Sequence, residues 1–192
     1  MNLMSEFIGF GKIPRGSGDE LITITEKLDG TNACIQVEFV YVGDGVNELH
    51  VVGVQSRKRM IDPGDDNYGF ANWVNEQGNQ LPTALGEGYH YGEWYGLGIQ
   101  KNPHMKTTKR LALFNTERWQ DGRQPRPEGV ECVPILYEGV WHEDAVDSVM
   151  SDLRTDSMAV PYKAEGIVVW YHKTRRYEKY TYDFSAGKWG EK

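Results

Sequence analysis

One stretch constrains this chain more than any other: an alternating run, a turn signal, and a second, longer alternating run. Leu21-Ile22-Thr23-Ile24-Thr25 alternates as a strand with one buried face does, so a strand is expected from Leu21 to Leu28. Asp29-Gly30 marks a turn. From Ala33 to Val42 alternation resumes, with Cys34, Gln36 and Glu38 on one side and Ile35, Val37 and Phe39 on the other. Gly43-Asp44-Gly45-Val46-Asn47 is turn chemistry, and Leu49 to Gln55 reads as the returning strand. The outcome is a strand followed by an antiparallel hairpin, with Lys27 at their junction. A lysine in that position lies at the mouth of a pocket, half desolvated.

The remaining periodicities are mixed. Ser56-Arg57-Lys58-Arg59 ends the hairpin with three cations in a row, and a loop follows from Ile61 to Asn67. Phe70, Trp73, Val74 and Gln77 fall at helical spacing, which predicts a helix over Asn67 to Glu76 with Gly78 as its stop. Strands are expected at Tyr89 to Tyr95, Lys109 to Asn115, Pro134 to Tyr137, Ile167 to Trp170 and Arg175 to Tyr182. Ala145, Val146, Val149, Met150 and Leu153 form a helical stripe over Glu143 to Arg154. Gly96 to Thr108 is a basic loop, and the Pro- and Gly-rich Gln120 to Glu131 is loop too. Strands that are mostly antiparallel, with two principal helices and no regular βαβ alternation, define an α+β class with flanking helices.

Composition limits the function classes. With 192 residues, 39% of them hydrophobic, the chain supports one globular domain with a sizeable core. The two cysteines, Cys34 and Cys132, lie far apart and form no Cys-x-x-Cys pair, which argues against structural zinc and for a reduced, cytoplasmic setting. No basic segment leads into a long apolar run, so neither a signal peptide nor a membrane partner is expected. The net charge of −7 is segregated: residues 121–156 carry −6 and the rest −1. The acidic segment reads as a solvated face, which leaves the remaining surface able to present local basic patches.

Several short segments line up behind the opening stretch. In order they are Lys27-Leu28-Asp29-Gly30-Thr31-Asn32, Ser56-Arg57, Tyr91-Gly92-Glu93-Trp94-Tyr95-Gly96, Leu111-Ala112-Leu113-Phe114-Asn115, Glu165-Gly166-Ile167-Val168-Val169, and the lysine of Tyr177-Glu178-Lys179-Tyr180. This order, spanning roughly residues 21–180, resembles the collinear motifs of the covalent nucleotidyltransferase superfamily of polynucleotide ligases and mRNA capping enzymes. It is most similar to phage-type and bacterial ATP-dependent RNA ligases. The resemblance implies the nucleotidyltransferase fold, an ATP-grasp-like ligase catalytic domain, over residues 1–192 as a single adenylation domain. Few residues follow Lys179, too few for the OB or helical C-terminal domain that such enzymes often carry.

By this resemblance Lys27 forms a phosphoamide with AMP. Glu165, and less directly Asp29, help hold magnesium or manganese, while Glu93 contacts the ribose hydroxyls. Arg57 contacts ribose or phosphate, Phe114 stacks on adenine, Asn32 sits near the nucleotide phosphate, and Lys179 neutralises phosphate charge. Glu26, beside the lysine, belongs to the same nucleotide-binding set. These residue types suit the chemistry. A lysine amine must be unprotonated to attack ATP, although its reference pKa is about 10.4, and the charge that develops on phosphate calls for cations and a metal. The AMP then passes to a 5′-phosphate end, and a 3′-hydroxyl displaces it. The implied partner is RNA, with nicked DNA as the alternative; acceptor binding comes from this domain or from a partner protein. A binding module that keeps the fold without turnover is a third reading. Arg57-Lys58-Arg59 and Lys101 to Arg110 are candidate phosphate contacts. Phe114, in an apolar strand, also fits plain core packing. Two departures stand out. Lys179 lacks the second lysine of the usual Lys-x-Lys pair, leaving Lys173, Arg175 or Arg176 to supply that cation, and Trp170 stands where many ligases place a basic residue.

Overall fold

The computed structural model describes residues 20–100, 107–120, 124–154, 157 and 164–182. Residues 1–19, residues 101–106 of the basic 96–108 loop and the residues after Tyr182 lie outside them. The described residues fall into two compact units, one of 30–100, 108–120 and 124–132, the other of 20–29, 107, 133–154, 157 and 164–182. No described helix is long and apolar enough to cross a membrane.

The first unit is built on the predicted hairpin. β2 (Thr31–Gly43) and β3 (Val46–Ser56) pair antiparallel, joined by the two-residue turn Asp44-Gly45, whose φ values of 50° and 77° are those of a primed hairpin turn. β4 (Gly88–Tyr95) pairs with the other edge of β2, β5 (Arg110–Leu113) with β4, and β6 (Val130–Cys132) with β5. β5–β6 is parallel and every other pairing in the described sheets is antiparallel, as the α+β reading requires. Alternation sends Ala33, Ile35, Val37, Trp94, Leu111 and Leu113 to one face of this sheet. There they pack with Phe70, Ala71 and Val74 of α1 (Phe70–Glu76), Leu81 and Leu85 of α2 (Gln80–Leu85), and Trp119 of α3 (Thr116–Trp119).

Helix α1 starts three residues later than its periodicity predicts. Tyr68 and Gly69 have positive φ, and Asp66 holds the first turn instead: its Oδ1 accepts from the N–H of Ala71 at 2.8 Å and its Oδ2 from that of Asn72 at 3.0 Å. The helices α2 and α3 were not expected. At six and four residues they are too short to show a period, and α2 carries Pro82 in its first turn, where proline costs no hydrogen bond.

The second unit holds the sheet β7-β1-β8-β9, made of β1 (Leu21–Lys27), β7 (Ile135–Val140), β8 (Gly166–Tyr171) and β9 (Arg176–Thr181). One face carries Ile22 and Ile24 of β1 with Ile167, Val169 and Tyr171 of β8. Helix α4 (Glu143–Leu153) covers that face with Val146, Val149, Met150 and Leu153. The ring Nδ1 of His142 caps α4 by accepting from the N–H of Ala145 at 2.9 Å, and Glu143 and Asp144 occupy the positive end of its dipole.

Candidate functional site

In β1 successive side chains point to opposite faces. Ile22, Ile24 and Glu26 face the side of the apolar core, while Thr23, Thr25 and Lys27 face the other. Register extends this outer face across the sheet. Lys27 lies opposite Gly166, Thr25 opposite Val168 and Thr23 opposite Trp170; on β9, Thr181, Lys179 and Tyr177 stand opposite the same three residues of β8. Lys27 and Lys179 therefore share a face, two strand spacings and two residues apart, on the order of 12 Å between α-carbons.

Lys27 Nζ forms an ion pair with Glu165 Oε1, and both side chains keep access to solvent, at 22% and 36% exposure. Gly166, next to Glu165 and opposite Lys27, lets the start of β8 lie close against β9. Its φ is +147°, and a Cβ there would lie 2.0 Å from the Tyr180 carbonyl oxygen, so no other residue fits. The backbone of Glu165 is itself anchored, its carbonyl accepting from the Tyr182 N–H at 3.0 Å. Glu26 is placed differently. It is 2% exposed, on the opposite face from Lys27, and its Oε1 accepts from Ser157 Oγ at 2.6 Å. Sequence reasoning missed Ser157, a lone serine 131 positions away with no motif around it. Lys179 is exposed, and its side chain makes no hydrogen bond or ion pair among the described residues. Of the candidates for the second cation, Arg176 is engaged: it bonds Glu178 at 2.6 Å and lies 3.8 Å over the Tyr171 ring, on the inner face. Lys173 and Arg175 stay exposed in the β8–β9 turn.

In the five-stranded unit, Asn32 and Glu93 are register partners on the face turned away from the core, and Asn32 Nδ2 donates to Glu93 Oε2 at 3.3 Å. Gly30 seats the chain against that strand. Its φ is ordinary, so the turn itself does not demand glycine; close approach does, since a Cβ would meet the Trp94 carbonyl oxygen at 2.5 Å and Glu93 Cγ at 2.9 Å. Phe114 falls just beyond β5, with its N–H donating to the Tyr91 carbonyl at 2.9 Å. It is half-buried and absent from the apolar core, which removes the core-packing reading. Arg57 and Lys58 are exposed and unpaired among the described residues, whereas Asp65 binds Arg59 at 2.6 Å. Of the Lys101 to Arg110 segment, Lys109 donates to the Tyr68 carbonyl at 2.7 Å and Arg110 pairs with Glu131, so neither cation stands free for phosphate. Burial drives the Cys34 thiol up to about 12 despite its hydrogen bond with the His90 backbone, which excludes thiolate chemistry there. A concavity of about 630 Å³ lies at the Pro-rich loop between Arg110 and Gln124–Glu131; of the candidate side chains only Arg110, already paired with Glu131, lines it.

The described residues hold no cluster of three His, Cys, Asp or Glu side chains able to cage a metal. Their carboxylates suit a different kind of site. Glu165 is half-exposed, and Asp29 is half-buried without a partner among the described residues. One or two carboxylates together with substrate phosphates are what magnesium or manganese takes.

Against known proteins, residues 20–184 match the RNA ligase family. The chain belongs to the RNA ligase family. Among solved structures, the family member matches a Naegleria gruberi RNA ligase with pyrophosphate, at TM-score 0.53 and 17% identity, over 94% of this chain and 59% of that one. Mutants of the same Naegleria gruberi enzyme, one with ATP and manganese and one with AMP and manganese, match at TM-score 0.53 with 17% and 16% identity, over 84% of this chain and 49% of those. This likeness establishes the shared nucleotidyltransferase fold. The family member spans about half the length of the structures that it matches. No curated protein matches its sequence.

Proposed function

We propose that this chain is an ATP-dependent RNA ligase that works through a lysyl-AMP intermediate on Lys27. The observation that carries the reading is the Lys27 amine at the open end of β1, held against the Glu165 carboxylate in a chain of the RNA ligase family. In the first step Lys27 Nζ, having given up its proton, attacks the α-phosphorus of ATP. A P–N bond forms, the bond to the bridging oxygen breaks, and pyrophosphate leaves. An oxygen of an RNA 5′-phosphate then displaces Lys27 to give a 5′–5′ pyrophosphate linkage. The 3′-hydroxyl of a second strand attacks that activated phosphate, loses its proton, and AMP departs.

The family resemblance supports these roles. Lys179, on the face of Lys27, would offset phosphate charge; exposed Lys173 or Arg175 would supply the second cation, because Arg176 is committed to Glu178. Glu93 and Asn32, already hydrogen-bonded to each other, would contact the ribose hydroxyls and phosphate, with Phe114 stacking on adenine and Arg57 reaching ribose or phosphate. Glu26 would act from behind the strand, holding Lys27's segment through Ser157. Glu165, with Asp29 less directly, would hold a divalent cation. Such an ion, when bound, supplies charge neutralisation at the phosphates and the leaving pyrophosphate. The Naegleria gruberi structures with ATP or AMP and manganese are consistent with this pairing of nucleotide and metal.

Strand joining tests the reading. With ATP and manganese, 5′-phosphorylated RNA should be joined to a 3′-hydroxyl RNA end, and matched nicked DNA should not be. Joining of DNA alone would move the assignment to a DNA ligase; joining of neither would leave a binding module.

A further inference from the structure

We propose that Trp170 and Tyr177 form a stacking platform for the bases of the RNA strand whose end is activated at Lys27. The inference rests on the ligase reading above and extends it to the acceptor. The two residues face each other across β8 and β9, with ring centroids 4.4 Å apart and planes 37° apart. They lie on the outer face of the four-stranded sheet, the face of Lys27 and Lys179, while α4 packs on the opposite one. Apart from Thr23 and Gly166, residues on this face are half-buried or exposed, and Tyr177 is 44% exposed.

A large aromatic pair held at a surface beside cations fits a single-stranded nucleic acid, whose bases stack on rings while its phosphates meet lysines and arginines. The charges agree. Exposed Lys173 and Arg175 sit in the turn just past the pair. Of the nearby acids, Glu20 is tied up in that turn, accepting from the N–H groups of Lys173 and Thr174 at 3.1 Å each. Glu138 lies on the far strand β7, opposite Thr23, whose hydroxyl reaches it at 3.5 Å. Four residues of strand separate Trp170 from the position opposite Lys27, about 13 Å along the sheet, so a strand ending at Lys27 can run across the rings.

The test uses the full chain and separates nucleotide loading from acceptor binding. Trp170→Ala/Tyr177→Ala should take label from α-labelled ATP at the wild-type rate. It should bind a 5′-phosphorylated, fluorescent RNA oligomer about tenfold or more weakly, with a matching loss of AMP transfer to that RNA. Trp170→Phe/Tyr177→Phe should recover most of the affinity, while Trp170→Leu/Tyr177→Leu, which keeps apolar bulk without a π face, should not. The proposal is overturned if the alanine variant binds and transfers as wild type does, or if leucine restores binding as well as phenylalanine. If the alanine variant also loses labelling, it is misfolded, and the phenylalanine–leucine comparison decides alone. Absence of label on wild type would defeat the ligase reading, and the RNA-binding arm would still decide the platform.

Discussion

Lys27 and Glu26 are neighbours in sequence and yet serve opposite sides of one strand. Lys27 meets Glu165 on the open face, and Glu26 meets Ser157 on the buried one. Period-two geometry makes this unavoidable, since successive side chains leave a strand on opposite sides. Gly30 is equally constrained, by space rather than by turn conformation. Gly30→Ala sets a Cβ against the backbone oxygen of Trp94 at 2.5 Å, and backbone cannot move aside as a flexible side chain can. The substitution should cost about 1–3 kcal/mol, the usual range for overpacking, read as a lower urea midpoint at unchanged m-value. An unchanged midpoint would show that the segment yields.

Among the elements, α4 is where sequence and packing agree most closely. Its stripe from Ala145 to Leu153 is the buried stripe, and Met150 is 0% exposed. Met150→Ala should destabilise the four-stranded unit by about 2–5 kcal/mol, measured by urea unfolding; a loss under 1 kcal/mol would mean the helix is not seated on that sheet. For α1 the informative residue is Asp66. Partial burial works to raise its pKa, but the N–H groups of Ala71, Asn72 and Asn67 outweigh this and hold the carboxyl below its ordinary value. Asp66→Ala should cost about 1 kcal/mol at neutral pH. That contribution is present above the ordinary aspartate range and fades as pH falls through the lowered folded-state value, so the variant and wild type should converge in strong acid. The same elements show what could be read in advance. Long alternating strands and an eleven-residue amphipathic helix carry enough periods to declare themselves. The helices α2 and α3 do not, and neither does three-residue β6, whose parallel pairing with β5 depends on contacts far away in sequence. The order of Lys27, Asn32, Glu93 and Glu165 along the chain could be read in advance, and within its own unit each pair is in contact, Lys27 with Glu165 and Asn32 with Glu93. The commitment of Arg176 to Glu178 and the loss of Lys109 and Arg110 to local partners were not legible, because a cation's availability depends on its neighbours in space.

For the molecule as a whole, acid and charge are distributed with consequence. The acids of the 121–156 segment that fall on α4, namely Glu143, Asp144, Asp147 and Asp152, are all exposed, so this part of the net −7 is a solvated face, as its composition suggests. One buried histidine gives the fold a pH dependence near neutrality. Burial lowers the pKa of His90, and Arg118 adds to this, against the hydrogen bond between His90 Nε2 and the Gly86 carbonyl at 2.9 Å. The unfolded chain then binds more protons than the folded one once pH drops below about 6.5, so stability must fall there. Urea midpoints should be lower at pH 5.5 than at pH 7.5, and His90→Gln should remove most of that difference; a midpoint flat between those values would contradict the assignment. Intact-mass spectrometry reads nucleotide chemistry at Lys27 without any acceptor strand. After incubation of the full chain with ATP and manganese, the account predicts a gain of one AMP per chain, mapped to Lys27, stable to denaturation and abolished by Lys27→Ala. Absence of the adduct, or its persistence in Lys27→Ala, would contradict it.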